Sequence, residues 1–386
     1  MIPYGRQSIT EQDIAAVTAV LQSDFLTQGP AVPAFEAAVR DQVGAAHAVA
    51  VNSATSALHI ACMALGVGPG DRVWTSAVTF VASANCALYC GADVDFIDID
   101  PATYNMSTDR LRDRLVQARA DGTLPKVVIP VHLAGQSCDM AAIAALAEDY
   151  GFAVIEDASH AIGADHEGRP VGDCRYSAAT VFSFHPVKII TTAEGGLVTT
   201  NDPALAQRLE LLRSHGITRD PALMRSAPEG PWYYEQVDLG FNYRMTDIQA
   251  ALGVSQMTRL DAFVAERRRL AARYDTLLAD LPLVLPWQDP ATASAWHLYV
   301  VRIDAARVPG THREVFERLR ARGIGINLHY MPVYLQPYYR DLGFAPGHCP
   351  QAEAYYASAI SIPLYADLTD AGQDSVVAAL REALAP

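Results

Sequence analysis

The sequence predicts a large three-layer αβα domain on a mostly parallel sheet, followed by a small α+β domain at the carboxyl end. Three observations carry this reading. From about residue 45, short apolar runs alternate with longer helical stretches, the pattern of strands joined by helical crossovers. At 386 residues the chain is long enough for one large core and a second, smaller one. From Thr246, where Gln249 completes a capping box, no proline occurs until Pro282, which predicts a long helix linking the two. On this division residues 1–245 form the large domain and 246–386 the linking helix and small domain, with the first few residues packing on the small one.

The elements follow in order. Ala48 to Val51 reads as a strand, Ser56 to Leu65 as a helix, Arg72 to Thr75 as a strand and Thr79 to Cys90 as a helix. Val94 to Ile97, Lys126 to Val131 and Phe152 to Ile155 are further strands, with a helix from Met140 to Tyr150 before the last. Ala178 to Phe184 and Leu197 to Thr200 complete the set, separated by a loop with Thr191, Thr192, Gly195 and Gly196. In the linking helix, Glu266, Arg267, Arg268 and Arg269 read as a solvated face. WHLYVVRI, a helix around Thr311 to Arg322 and one around Asp374 to Leu384 make up the small α+β domain.

Composition narrows the function. A formal charge of -14 repels phosphate backbones, so nucleic acid is not an expected partner. The uncharged stretch from Val73 to Ala92 is interrupted by Thr75, Ser76, Thr79, Ser83 and Asn85 and predicts a buried strand and helix, not a membrane span. The amino terminus carries early charge and no apolar run, so the expected location is the cytoplasm. The six cysteines form no CxxC pair, and no metal site is expected.

The candidate chemistry lies at strand ends. Asn52 to Ser56 sit between a strand and a helix start, where free amides and the helix dipole favour an anion; the alternative is ordinary capping by Ser53 or Thr55. The strand FAVI runs into Glu156 and Asp157, placing an acid where open α/β sheets bind ligands, with His160 three residues on. Glu156 reads as a helix cap or surface charge.

Only two lysines serve the whole chain, Lys126 and Lys188. Lys126 begins a strand and so belongs to the opposite edge of the sheet. Lys188 follows the strand ATVFSF and shares its edge with Asp157 and the Asn52 turn. An anion cradle, a buried acid and a lysine on one edge match the needs of pyridoxal 5'-phosphate (PLP): phosphate anchoring, pyridinium stabilisation and imine formation.

The sequence resembles the PLP-dependent sugar-nucleotide aminotransferases of the DegT/DnrJ/StrS type, within the fold-type I, aspartate aminotransferase-like superfamily. The motifs are FLTQGP at 25–30, NSATSALH at 52–59, TFVASAN at 79–85, EDASHA at 156–161, SFHPVK at 183–188, TTAEGG at 191–196, FNYRMTDIQAALG at 241–253 and HYMPVY at 329–334. The resemblance implies Lys188 as the Schiff-base lysine, Asp157 as partner of the pyridine nitrogen and His160 near the ring. It further implies Phe80 stacked on the ring, Ala54, Thr55 and Ser183 on the phosphate, and Asn242 reaching the phosphate from the partner subunit of a homodimer. Tyr4, Arg6, Thr27, His185 and His329 are candidates for sugar or nucleotide contact.

Within that family, NSATSALH, SFHPVK, TTAEGG and RSHGI look closest to the transaminase of the pseudaminic acid pathway. The implied reaction moves the amino group of L-glutamate to C4 of a UDP-4-keto-6-deoxy-N-acetylhexosamine, giving UDP-4-amino-4,6-dideoxy-N-acetyl-β-L-altrosamine. Competing readings are amination of another keto-sugar, such as a dTDP-linked hexose, and a regulatory relative without turnover. A sugar dehydratase of the same fold carries histidine in place of the lysine, and Lys188 argues against it.

Overall fold

The computed structural model describes residues 1–385. Seven strands form the main sheet: β1 His47–Val51, β2 Arg72–Ser76, β3 Asp93–Ile97, β4 Val127–Ile129, β5 Ala153–Asp157, β6 Ala179–Ser183 and β7 Gly196–Thr200. Their spatial order is β1-β7-β6-β5-β4-β2-β3. All pairs are parallel except those of β7, which runs antiparallel to both β1 and β6. Helices cover both faces, so the strands are buried almost throughout and read as continuous apolar runs. The carboxyl ends of β1, β2, β4, β5 and β6 and the amino end of β7 therefore share one edge.

A second sheet lies nearer the carboxyl terminus, with β8 Leu283–Val284, β9 Tyr299–Ile303 and β10 Ala359–Ile362 in antiparallel order. The helices His312–Ala321 and Asp370–Leu384 pack with it around a core that includes Tyr299, Val315, Leu319, Ile362 and Val376. The first residues join this unit: the Ile2 N–H bonds Gly323 O at 2.9 Å, and the Leu364 N–H bonds Tyr4 O at 3.0 Å. No helix among the described residues is long and apolar enough to cross a membrane.

Two expectations change between residues 246 and 278. The capping box holds, with the Thr246 N–H on Gln249 Oε1 at 3.0 Å and the Gln249 N–H on Thr246 Oγ1 at 3.3 Å. The predicted single helix is instead two, Asp247–Met257 and Leu260–Leu277. Backbone bonds tighten to three-residue spacing at Thr258 and Arg259, and the Arg259 guanidinium pairs with the buried Asp13.

Arg267, expected on a solvated face, is buried. It falls in register with Leu260, Phe263, Val264, Leu270, Ala271 and Tyr274 on the inward face of the second helix. Its Nη1 donates to Leu364 O at 2.9 Å, Trp296 O at 3.2 Å and His297 O at 3.3 Å. Glu266 and Arg269 do pair on the outer face.

Candidate active site

A cavity of about 750 Å³ opens at the shared edge of the main sheet. Each contributing strand delivers its side chains through its own exit. After β1, Ser53 caps the helix Ala54–Ala64 by accepting the Ser56 N–H at 3.1 Å. The cap takes one N–H only, and the first-turn residues Ala54 and Thr55 line the cavity. Ordinary capping and an anion cradle thus coexist in one turn. Gly196 is required beside it, because a Cβ there would collide with the Ser53 carbonyl and the Ala54 nitrogen.

After β2, Phe80 lines the cavity with its ring 57% exposed, an uncovered aromatic face. Asp157 is the last residue of β5 and only 4% exposed. Its Oδ2 accepts the Ser83 hydroxyl at 2.6 Å and its Oδ1 the Ser159 N–H at 3.1 Å. Glu156 is neither a cap nor a surface charge. It is 5% exposed and accepts from His132 Nε2 at 2.8 Å and from Ser177 Oγ at 2.6 Å.

After β6, residues 185–188 make a tight turn closed by the Lys188 N–H on His185 O at 2.9 Å, with Pro186 at the position where its fixed φ suits a turn. Ser183, His185 and Lys188 all reach the cavity wall. Lys126, by contrast, begins β4 and donates to Gly66 O and Asp71, as strand polarity predicts. The opposite wall carries Asn327, His329 and Tyr330 from the carboxyl-terminal half, together with His297 and Tyr4.

Burial pushes the Lys188 amine down to about 8, against the opposing pull of the Asp157 carboxylate. Burial also lowers His160 and His297 well below the ordinary histidine range, and His329 down to about 3, with the Lys188 charge adding to each. At neutral pH all three imidazoles are therefore uncharged. His160 Nδ1 accepts the Ala134 N–H at 3.3 Å, and its Nε2 lies 3.3 Å from the Tyr330 hydroxyl. His329 Nδ1 lies 2.8 Å from Ser361 Oγ. His297 Nδ1 is buried and has no hydrogen-bond partner among the described residues.

Of the residues singled out from the sequence, Tyr4, Ala54, Thr55, Phe80, Asp157, His160, Ser183, His185, Lys188 and His329 line one cavity. Arg6, Thr27 and Asn242 do not. Arg6 is exposed near Tyr365, Thr27 is exposed and bridged to Thr246, and Asn242 is exposed and bridged to Ser214. The sequence reading missed Ser83, Tyr330 and His297. Ser83 and Tyr330 stand inside the quoted motifs TFVASAN and HYMPVY. His297 lies two residues before the apolar strand Tyr299–Ile303 and gives no signal of its own.

The donor set suits PLP. A helix amino terminus faces the cavity for the phosphate, a buried carboxylate is held as an acceptor for a protonated ring nitrogen, and the one cavity amine titrates near neutrality.

Comparison with known proteins agrees. Residues 7–381 match the model of the DegT/DnrJ/EryC1/StrS aminotransferase family. The chain is 40% identical over 384 residues to the spore coat polysaccharide biosynthesis protein SpsC of Bacillus subtilis, covering 99% of this chain and 96% of that one. Helicobacter pylori PseC, an aminotransferase involved in the biosynthesis of pseudoaminic acid, superposes with a TM-score of 0.90 at 30% identity, covering 99% of both chains. The PLP form of a putative sugar aminotransferase from Streptococcus pneumoniae superposes at 0.87 with 29% identity, covering 99% of this chain and 98% of that one. The chain belongs to the DegT/DnrJ/EryC1/StrS aminotransferase family and is a PLP-dependent sugar aminotransferase with the fold-type I architecture.

Proposed function

We propose that the chain transfers the amino group of L-glutamate to C4 of a UDP-4-keto-6-deoxy-N-acetylhexosamine, giving UDP-4-amino-4,6-dideoxy-N-acetyl-β-L-altrosamine for pseudaminic acid biosynthesis. The observation that carries the chemistry is a lysine amine lowered to about 8 in the same cavity as the buried Asp157 carboxylate. The sugar rests on the motif resemblance and on the likeness to PseC.

PLP, when bound, supplies a carbonyl that captures amines and a ring that takes up carbanion electrons. The protein's own residues do the rest. Asp157, held by Ser83 and Ser159, keeps the ring nitrogen's proton in place. Ala54, Thr55 and Ser183 would hold the phosphate, and Phe80 would pack against the ring. Lys188 Nζ takes the proton from the α-carbon of glutamate and later delivers a proton to C4 of the sugar. A neutral His160 leaves that proton traffic to the lysine and offers Nε2–H as a donor. Tyr4, His185 and His329 stand on the wall where the sugar is received. The working unit is a homodimer in which Asn242 is contributed from the neighbouring subunit.

The test is a screen of UDP- and dTDP-linked 4-keto and 3-keto sugars with glutamate, the products read by mass spectrometry and NMR. A UDP-linked 4-amino product supports the reading. Turnover of dTDP-linked sugars alone, or amination at C3, overturns the sugar assignment. Lys188→Ala should lower turnover at least about 10³-fold.

A further inference from the structure

We propose that Asn105 and the buried His132–Glu156 pair are positioning residues for transamination. They lock the Leu133–Gly135 turn so that it fixes His160 as its Nε2–H tautomer. The turn follows β4 beside the cavity and bonds both to His160 and to the backbone on either side of His297. Its Ala134 N–H donates to His160 Nδ1 at 3.3 Å. A ring nitrogen that accepts carries no proton, so a neutral His160 must bear its hydrogen on Nε2, facing Tyr330 at 3.3 Å.

The same turn seats His297. The Ala295 N–H bonds Gly135 O at 3.0 Å and the Leu298 N–H bonds Ala134 O at 3.3 Å, on either side of that residue. The two rings lie 4.3 Å apart at their centroids. There is no slack here. Gly135 adopts φ +102, and a Cβ on it would lie 2.8 Å from Trp296 N and 3.0 Å from both His160 O and His297 N. Ala134 itself adopts φ 59, an unusual conformation for a residue with a side chain.

Something outside the cavity must hold the turn in that shape. Asn105 Oδ1 accepts the Leu133 N–H at 2.9 Å, while its Nδ2 donates to Gln136 O at 3.0 Å and Ser137 O at 3.1 Å. His132 Nδ1 accepts the Cys138 N–H at 3.1 Å, closing the far side of the loop, and Glu156 fixes His132 through Nε2 at 2.8 Å. Glu156 and Asp157 are adjacent in β5, so one strand sets the acid of the cavity and, from its other face, the anchor of this turn. All three anchoring side chains are 5% exposed or less. They touch neither cavity nor substrate, and such supporting groups decide whether a site residue keeps its productive orientation.

The experiment is imidazole ¹⁵N NMR on the full chain, with and without PLP, for wild type, Glu156→Ala, Glu156→Gln and Asn105→Ser. Both half-reactions are measured alongside. Wild type should show His160 as a single Nε2–H form. Glu156→Ala and Asn105→Ser should show mixed tautomers, with kcat down roughly tenfold and the glutamate KM changed less than about threefold. Glu156→Gln, which can still accept from His132, should restore the single form. A folded Glu156→Ala with the His160 signal unchanged overturns the proposal, and if that variant does not fold, the same result on Asn105→Ser does. The inference rests on the transamination reading only for its kinetic arm. The tautomer readout without PLP is independent of it.

Discussion

Ser83 gives its hydroxyl hydrogen to Asp157 Oδ2 across 2.6 Å, and Thr79 Oγ1 lies 2.8 Å behind it from Ser83 Oγ. The helix after β2 thus supports the acid at the end of β5, a link between segments 74 residues apart. Such a bond to a charged acceptor is worth more than a neutral one. Ser83→Ala should weaken PLP binding about tenfold, as read by titrating the cofactor-free protein by fluorescence. Unchanged affinity would show that the Ser159 N–H orients Asp157 alone.

Lys188 gives two pH dependences. Its amine titrates at about 8 in the folded protein against 10.5 in a free chain, so the neutral, reactive form grows as pH rises through about 8. The rate at which cofactor-free protein captures PLP should rise with pH below that value and level above it. A rate that is flat from pH 6 to 9 would contradict the lowered value.

The same shift governs stability. The unfolded chain holds more protons between about 8 and 10.5, so the burial cost is fully present below 8 and is relieved as pH climbs across that window. Because Lys188 remains partly open to the cavity, the gain is ~1–3 kcal/mol. Lys188→Met should remove the dependence from urea midpoints measured on cofactor-free protein.

Gly196→Ala tests the cradle. An added methyl would meet the backbone of Ser53 and Ala54, which cannot swing aside as a side chain could. The variant should lose about 1–3 kcal/mol of stability and bind PLP at least about tenfold more weakly. Wild-type affinity for PLP in a folded variant would mean the cradle does not depend on this contact.

Arg267 is a buried guanidinium held by carbonyls, with no acid among its hydrogen-bond partners in the described residues. Burial lowers it to about 10. Arg267→Met should destabilise the protein by about 2–4 kcal/mol, because three buried carbonyls lose their donor. Thermal unfolding of the variant measures this, and an unchanged midpoint would show that those carbonyls find other donors.

Much of the scaffold was legible because its signals are local. Strands buried on both faces read as apolar runs, and the end of such a run marks the ligand edge whatever the strand order, so Asp157 and Lys188 could be placed on one edge and Lys126 on the other. Local pattern failed where a residue's role depends on what packs against it. The apolar stripe from Leu260 to Tyr274 does put Arg267 on the inward face, but a run of four charges reads as solvated, and only the carbonyls of residues 296, 297 and 364 supply the partners that let it be buried. Glu156 and Asp157 look alike in sequence, and the pleat sends one to His132 and the other to the cavity.

By itself the sequence determined the layered α/β class, the lysine able to serve the cavity, the acid that shares its edge and the resemblance to sugar aminotransferases, because strand polarity and motif spacing are properties of the chain alone. Only the tertiary structure decided the antiparallel entry of β7, the Ser83 support of Asp157, and the wall of His297, His329 and Tyr330 that lines the Lys188 cavity. These join residues 74 to 170 positions apart or pair strands across the sheet. Such contacts form only when burial brings distant segments together, and no local pattern records them.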